Sequence, residues 1–281
     1  MTGVDGVVFR VATVNLLHGR SLQDGLVTTD RFTAEVAGLR ADVVGLQEVD
    51  RGQPRSGHVD QTQEIALAMA EASSGPAFYR FVPAIIGEPG GRWTAARHTD
   101  PSSGDELGPT ERLAPSYGIG LISRVPVQSW HVIELRHAPV KSPIVMPGTR
   151  RPMLLADEPR RAIAAVFAEG TAPFRTVATT HLSFVPGWNI RQLHLVQKAL
   201  LELPGPRLIL GDLNMPAGVV RLATRWTSMV RAPTFPSPDP KIQFDHMLTD
   251  DSRKRPRSSE IVHLMFSDHR AVVADFDSLP E

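Results

Sequence analysis

Short runs rich in β-branched and other apolar residues recur along the chain, and most of them end in polar side chains. Val7 to Asn15 is one such run, and Val43 to Glu48, Val177 to His181 and Arg207 to Leu210 are others. Runs of this length and composition predict buried β-strands. Polar groups at so many strand ends are more simply explained as parts of one site than as unrelated surface residues.

Two polar clusters in the C-terminal third carry the strongest chemical signal. Gly211 follows one of the apolar runs, and it should let the backbone turn sharply so that Asp212 and Asn214 project together. Further on, Asp268 and His269 are adjacent. Neighbouring residues of an extended segment point to opposite sides, which predicts Asp268 facing a metal and His269 facing a proton.

Helices are predicted between the strands, where apolar residues recur at helical spacing. Asp30 is a candidate cap for the first helix, Asp60 with Gln63 resembles a capping box for the second, and Asn189 is a candidate start for another. The apolar stripes of these helices are most simply core faces. We assign them no functional role.

Two long segments without a clear period, residues 87 to 116 and 136 to 159, are rich in Pro, Gly, Ser and His. Long irregular loops in compact domains are commonly functional or disordered. Both segments precede motif-bearing strands, so we expect them to shape a substrate pocket, with an irrelevant insertion as the alternative.

Composition sets the class of protein. Apolar residues make up 42% and charged residues 21%, which fits a globular protein with a sizeable core. No run of about eighteen apolar residues predicts a membrane span, and residues 1 to 9 lack the pattern of a signal peptide. Cytoplasmic residence is therefore expected, with no obligate protein partner evident. The chain has no cysteine, so only His and oxygen ligands remain for metals, and its ten histidines show no HxH or HExxH spacing typical of zinc sites.

Net charge is zero, with thirty basic and thirty acidic residues. Proteins that grip long duplexes usually show a strong basic footprint. The one short basic run, from Arg253 to Arg257, is most simply a solvated hairpin tip. A general DNA-binding surface is not supported.

An oxygen-rich set of candidate metal ligands consists of Asn15, Glu48 and Asp268. Hard divalent cations such as Mg²⁺ prefer carboxylate and amide oxygens together with water and substrate phosphate. The set predicts a Mg²⁺ site, with Mn²⁺ as a substitute.

Eight motif blocks in this order resemble the endonuclease/exonuclease/phosphatase superfamily of metal-dependent phosphoesterases. They are Thr13-Val14-Asn15, Leu46-Gln47-Glu48, Tyr117 to Arg124, Glu158-Pro159-Arg160, Thr180-His181-Leu182, Gly211-Asp212-Leu213-Asn214, Phe244-Asp245-His246 and Ser267-Asp268-His269. The resemblance implies an α+β fold of the DNase I type, a four-layer α/β/β/α sandwich with two packed mixed β-sheets. Motif residues are spread from position 15 to position 269, so we expect residues 1–281 to form a single domain.

The resemblance also implies a role for each residue. Glu48 holds the metal with Asn15 and Asp268 nearby, and Asp212 orients or deprotonates the attacking water. The remaining catalytic candidates are Asn214 as a donor to phosphate, His269 in contact with a phosphate oxygen, Asp245 as the acceptor of the other ring proton of His269, and His181 as the second imidazole.

Three further residues are candidates for binding substrate. Arg160 has the fork geometry to clamp a phosphate. Alternation along a strand sends only one of Arg160 and Arg161 into the site, and surface exposure of either is the alternative. Tyr117 lines the pocket or packs in the core, and Arg55 reaches a substrate anion or stays on the surface. Ile119 departs from the family pattern, in which a small polar residue is common, so the resemblance implies no phosphate contact at that position.

These features favour a Mg²⁺-dependent phosphodiesterase that cleaves a phosphate-ester substrate, either nucleic acid or a small phosphodiester. A phosphomonoesterase acting on a nucleotide, inositol phosphate or lipid headgroup is the first alternative. An inactive binding module is the second, and it would be expected to lack at least one of the catalytic residues.

Overall fold

A computed structural model of the protein describes residues 8–97, 114–144 and 153–278. The strands are β1 (Val8–Asn15), β2 (Val43–Arg51), β3 (Phe78–Gly87), β4 (Trp93–Ala95), β5 (Ser116–Ser123), β6 (Val127–Leu135), β7 (Lys141–Ile144), β8 (Met153–Ala156), β9 (Arg160–Phe167), β10 (Thr176–His181), β11 (Arg207–Asp212), β12 (Thr227–Ser228), β13 (Asp245–Thr249), β14 (Ser258–Val262) and β15 (Ala271–Asp277). The α-helices are α1 (Thr29–Gly38), α2 (Gln61–Ser73), α3 (Trp188–Leu201) and α4 (Ala217–Ala223), and short 3₁₀ turns span Leu17–Gly19 and Pro54–Ser56.

The strands form two large mixed sheets and a separate hairpin. One sheet has the order β14-β15-β1-β2-β5-β3-β4, the other has the order β12-β13-β11-β10-β9-β6, and β7 pairs with β8. Within each large sheet one parallel pair, β1 with β2 and β10 with β11, is flanked by antiparallel neighbours. The parallel pairs bring Asn15 level with Gln47 and His181 level with Asp212.

Three apolar clusters separate four layers. The first fills the space between the sheets, with Val11 and Val43 from one and Leu208 from the other. The second lies under α1 and α2, and the third lies under α3 on the outer face of the second sheet. The predicted α/β/β/α sandwich is confirmed, because each sheet buries one face on the other sheet and one face under helices.

The sheets approach each other closely beside the parallel pairs. A Cβ at Gly45 on β2 would lie 2.6 Å from Oγ1 of Thr179 on β10. Two residues further along β2, Nε2 of Gln47 donates to the same Oγ1 of Thr179 at 2.8 Å. Oγ1 of Thr13 on β1 donates in turn to Oε1 of Gln47 at 3.2 Å. This buried polar chain fixes the two sheets in register just below the ends that carry the motif residues.

The helix starts agree in part with the predictions. Asp60 caps α2, since its Oδ1 accepts a hydrogen bond from the Gln63 N–H at 3.1 Å. The prediction for Asp30 is wrong by two residues: Thr28 holds the cap position and Asp30 lies in the first turn, where a carboxylate complements the helix dipole. The predicted start at Asn189 is late by one residue, because α3 begins at Trp188.

The basic run from Arg253 to Arg257 is not a hairpin tip. It joins β13 to β14, which belong to different sheets, and the exposed Arg253 pairs with Asp251 at 2.9 Å. The two long segments that were predicted to be irregular lie partly outside the described residues, and their described parts contain β4, β7 and β8. Among the described residues, no helix is both long enough and apolar enough to cross a membrane.

Candidate active site

Gly211 lies inside strand β11, one residue before the carboxylate that the strand carries. Its φ is 141°, and a Cβ at this position would collide with the carbonyl oxygen of Thr180 on β10. The glycine is needed for the close approach of two strands and not for the sharp turn that we predicted. The left-handed residue that turns the chain is Asn214, whose φ is 50°.

Asp212 is 2% exposed, and four polar groups surround its carboxylate. Oδ1 accepts a hydrogen bond from the Asn214 N–H at 2.8 Å, and Oδ2 accepts one from Nδ2 of Asn15 at 3.1 Å. The Nε2 atoms of His181 and His269 lie 3.6 and 3.8 Å from the same Oδ2. Burial raises the pKa of Asp212 to about 7, although the charge of His269 opposes the shift. A carboxylate with a pKa near neutrality is suited to accept a proton from water and release it again.

His181 lies between Asn214 and Arg160. Its Nε2 is 3.1 Å from Nδ2 of Asn214, and its Nδ1 is 3.2 Å from Nη1 of Arg160. Both neighbours are donors, whereas a neutral imidazole accepts at one nitrogen, so only one of the two contacts is a hydrogen bond. Burial and the charge of Arg160 lower the pKa of His181 well below its usual value. His181 is therefore neutral at pH 7 and has one ring N–H available for donation.

His269 is paired with Asp245, which is the contact expected from the resemblance. Nδ1 of His269 donates to Oδ2 of Asp245 at 2.8 Å. Burial alone would lower the pKa of His269, but Asp245 and Asp212 raise it to about 10. The ring also packs on Phe235, with centroids 4.9 Å apart. A charged His269 thus presents its Nε2–H beside Asp212.

Glu48 lies on β2 at a bulge, where the pairing with β5 shifts between Leu46 and Val49. Its φ is 55°, which is uncommon for a residue with a side chain. Bulges redirect side chains, and strained backbone of this kind concentrates at functional sites. Here the bulge brings Oε1 of Glu48 to 3.2 Å from Nδ2 of Asn15.

Asn15 bridges Glu48 and Asp212 through a single amide nitrogen, because its Nδ2 donates to both carboxylates. Its Oδ1 is turned away and accepts the Leu17 N–H at 3.1 Å. In this arrangement the amide orients the acids. The metal-ligand role predicted for Asn15 would require the amide to turn over.

Two groups of side chains in the described chain have the chemistry to hold a metal. The first group is Glu48 and Asp268. Burial raises the pKa of both carboxyl groups, and the charge of Asp268 raises the pKa of Glu48 further. The second group is Asp212, Asp245 and His269, whose candidate ligand atoms lie within 4.8 Å of one another. Asp245 and His269 are already hydrogen-bonded to each other, so the first group offers the freer oxygens.

Arg160 is the member of the arginine pair that turns into the site. It is 7% exposed, its Nη2 lies 3.6 Å from Oδ1 of Asp157, and its buried Nε has no hydrogen-bond partner among the described residues. Arg161 turns away and donates through Nη2 to the carbonyl of Ala96 at 2.7 Å. A buried guanidinium with a free N–H is suited to bind a phosphate oxygen.

Arg55 and Tyr117 lie together. Nε and Nη2 of Arg55 donate to the two carboxylate oxygens of Asp50 at 2.8 and 2.7 Å, and its guanidinium lies 5.7 Å from the ring centroid of Tyr117. Burial raises the pKa of the Tyr117 hydroxyl well above its usual value, and the charge of Glu48 adds to the effect. Because Asp50 occupies the fork of Arg55, a substrate anion would reach only its remaining N–H groups, and the predicted role of Arg55 stays a prediction.

Two supporting residues were given no role in the sequence analysis. Oδ2 of Asp157 accepts hydrogen bonds from the Ala138 N–H and the Ser183 hydroxyl, both at 2.7 Å, which holds Asp157 under Arg160. Ser267 donates to the carbonyl of Asn15 at 2.6 Å and so ties the Asp268 segment to β1. The available signal was their position in sequence, since Asp157 precedes Arg160 by three residues and Ser267 directly precedes Asp268.

A sequence profile of the Endonuclease/Exonuclease/phosphatase family matches residues 12–269. No curated protein matches the chain.

Solved structures share the fold at low sequence identity. An endonuclease/exonuclease/phosphatase from Beutenbergia cavernae has a TM-score of 0.60 and 20% identity, over 96% of this chain and 72% of that chain. The mannosyl-6-phosphatase Bt3783 of Bacteroides thetaiotaomicron has a TM-score of 0.58 and 14% identity, over 95% and 99%. D. rerio TDP2 complexed with a single-strand DNA product has a TM-score of 0.55 and 16% identity, over 96% and 98%.

Proposed function

The chain belongs to the Endonuclease/Exonuclease/phosphatase family, and on that premise we propose that it is a Mg²⁺-dependent phosphodiesterase, with Mn²⁺ as a substitute, that hydrolyses nucleic acid or a small phosphodiester. Members of this family are generally phosphoester hydrolases. The observation that carries the proposal is the set of contacts at Oδ2 of Asp212. Asn15, His181 and His269 all direct side-chain nitrogens at this one oxygen.

The donor set fits a hard divalent cation. Glu48 and Asp268 are two partly buried carboxylates whose pKa values are raised by burial, and neither forms an ion pair with a Lys or Arg among the described residues. A cation bound by both carboxylates would offset the cost of burying their negative charges, and Mg²⁺ prefers such oxygen ligands. When bound there, the ion would supply charge compensation for a phosphate oxygen. Asn15 would position Glu48, or join it as a ligand after turning its amide.

The protein groups divide the remaining work. Asp212 accepts the proton of the attacking water, since its carboxylate forms no ion pair with a Lys or Arg of the described residues and its pKa is near neutrality. Nδ2 of Asn214 and the free N–H groups of Arg160 donate to non-bridging oxygens, where negative charge accumulates. His269, held by Asp245, adds a charged N–H on the other side of Asp212. His181 donates its ring proton toward the phosphate or the leaving oxygen.

A phosphomonoesterase is the second candidate, and the burial of Arg160 favours it. A buried guanidinium neutralises a terminal phosphate well, and the similar fold of a mannosyl-6-phosphatase supports this possibility. An inactive binding module is disfavoured because Glu48, Asp212, Asp268 and His269 are all present.

A substrate panel with Mg²⁺ or Mn²⁺ tests the proposal. It should contain abasic, nicked and single-stranded DNA, RNA, cyclic and linear dinucleotides, sphingomyelin, and nucleotide monophosphates. Cleavage of diesters faster than monoesters supports the phosphodiesterase. A strong preference for monoesters moves the assignment to the second candidate, and no turnover of any ester with either metal contradicts both.

A further inference from the structure

A pocket lies outside the catalytic cluster, between helix α4 and the edge strand β12. Its volume is about 440 Å³, and three arginines line it: Arg221, Arg225 and Arg231. None of the described residues that line it is acidic. The sequence explains this, because residues 213 to 238 contain no Asp or Glu. In a chain of zero net charge, this pocket is a local concentration of positive charge.

The three arginines are not neutralised within the described part of the chain. All three are exposed, and none forms a hydrogen bond or ion pair with another described residue. The nearby Arg207 differs, since its Nη1 pairs with Asp250 at 2.6 Å. Unpaired guanidinium groups that converge on one pocket attract an anion, and their planar donors can bind two phosphate oxygens at once.

The wall of the pocket is held in place by internal hydrogen bonds. Oγ1 of Thr224 accepts a hydrogen bond from the backbone N–H of Trp226 at 3.0 Å and another from Nε2 of Gln197 on α3 at 2.5 Å. Trp226 is partly exposed, so part of its ring faces the pocket as an apolar surface. A pocket of this size, with one aromatic wall and a few converging polar groups, has the character of a small-molecule site.

The buried His246 lines the pocket and separates it from the catalytic cluster. It is 1% exposed, and its Nε2 donates to the carbonyl of Met215 at 2.9 Å. Successive residues of a strand face opposite sides, so His246 faces the helix layer together with Leu248, whereas Asp245 faces His269. A ligand in this pocket is therefore on the opposite face of β13 from the scissile phosphate.

We propose that this pocket is a second anion site, which binds a small phosphorylated ligand through Arg221, Arg225 and Arg231. Its phosphate or diphosphate group lies among the guanidinium groups, and any ring it carries stacks on Trp226. This site is independent of the catalytic residues and of the metal.

The indole N–H of Trp226 provides a local reporter. ¹⁵N-labelled protein is titrated with inorganic pyrophosphate in EDTA while the NMR signal of this group, assigned with the Trp226→Phe variant, is followed. We expect a saturable shift. The triple variant Arg221→Ala, Arg225→Ala and Arg231→Ala should bind at least about 100-fold more weakly, because three charge-assisted contacts are lost. These side chains are exposed, so the Tm should not change, and Arg225→Ala alone should show part of the loss.

Two controls separate this site from other effects. The triple variant Lys198→Ala, Lys254→Ala and Arg255→Ala removes the same charge elsewhere and should leave the titration unchanged. Arg160→Ala removes the catalytic guanidinium and should also leave it unchanged. No saturable shift up to about 10 mM pyrophosphate, an equal loss in the charge control, or dependence on Arg160 would each overturn the proposal.

Discussion

Replacing Asp212 by Asn tests the centre of the candidate site, because it removes a charge and an acceptor together. The new side chain can still accept the Asn214 N–H through its oxygen. Its amide nitrogen then faces Nδ2 of Asn15, which in the wild type donates to Asp212 at 3.1 Å. Two donors do not form a hydrogen bond, and Asn15 cannot turn over without losing its contact to the Leu17 N–H. The variant therefore loses the base and its link to Asn15.

The expected loss of activity is large. A general base contributes about 10²- to 10⁴-fold to the rate, which corresponds to about 3–5 kcal/mol of activation free energy at 1.36 kcal/mol per factor of ten. We expect kcat/KM of Asp212→Asn to fall at least about 100-fold at saturating Mg²⁺.

The fold should survive the substitution. The folded pKa of Asp212 is about 7, above its ordinary value of 3.8, so the wild type loses stability through this group as pH rises from about 4 to about 7. Asparagine does not titrate. The difference in Tm, variant minus wild type, should therefore increase between pH 5 and pH 8.

Hydrolysis of a chromogenic phosphodiester measures the rate, and thermal melts measure the stability. Asp42→Asn is a matched control, because burial also raises the pKa of Asp42 and its Oδ2 accepts the Arg10 N–H at 2.8 Å, far from the site. It should keep its activity. A rate for Asp212→Asn above about a tenth of wild type would refute the assignment of Asp212 as the base.

Four further predictions address the metal, the histidine pair, the substrate and the contact between the sheets. Glu48→Gln should raise the Mg²⁺ concentration needed for half-maximal rate, because a hard cation loses an anionic ligand. EDTA should abolish the activity of the wild type, and full activity in excess chelator would contradict a metal mechanism. Asp245→Asn should lower the pKa of His269 from about 10, because the carboxylate that favours its charged form is gone; an NMR titration of the ring that shows no change would disprove this cause. Turnover should depend weakly on monovalent salt at fixed Mg²⁺, since a neutral chain makes few phosphate contacts, and a loss of about 10³-fold in kcat/KM between about 50 and 200 mM salt would indicate a duplex-binding surface. Gly45→Ala should lower the free energy of unfolding by about 1–3 kcal/mol in urea titrations, because its Cβ would lie 2.6 Å from Oγ1 of Thr179; unchanged stability would mean that the sheets can separate there.

Local sequence patterns predicted the elements whose causes are local. The strand that ends at Asn15 and the capped start of α2 at Asp60 depend on residues within a few positions of each other, and both are present in the structure. The predictions for Gly211 and the basic run failed because their causes lie elsewhere. The constraint on Gly211 comes from Thr180 on another strand, and the basic run crosses between sheets that only the complete fold defines.

The site shows the same division. Sequence motifs identified Asp212 and His269, but they carried no information on the direction of the Asn15 amide or on the bulge at Glu48. The bulge depends on the pairing of β2 with β5, and the amide direction depends on contacts with β2 in the same sheet and with β11 in the other sheet. The orientation of a polar side chain is decided by its partners, and the partners of Asn15 lie on two other strands.

The pairing of β1 with β15 has a consequence for folding. Val8 pairs with Asp277 and Phe9 with Phe276, so strands from distant parts of the chain are hydrogen-bonded neighbours. Asn15 at the end of β1 and Asp268 just before β15 lie in the site beside this strand pair. Contacts between such distant segments form slowly, because closing a long loop costs conformational entropy before the pairing stabilises the fold. The return of activity during refolding should consequently follow the last step of assembly, and a partly folded chain should have no complete site with which to attack phosphate esters.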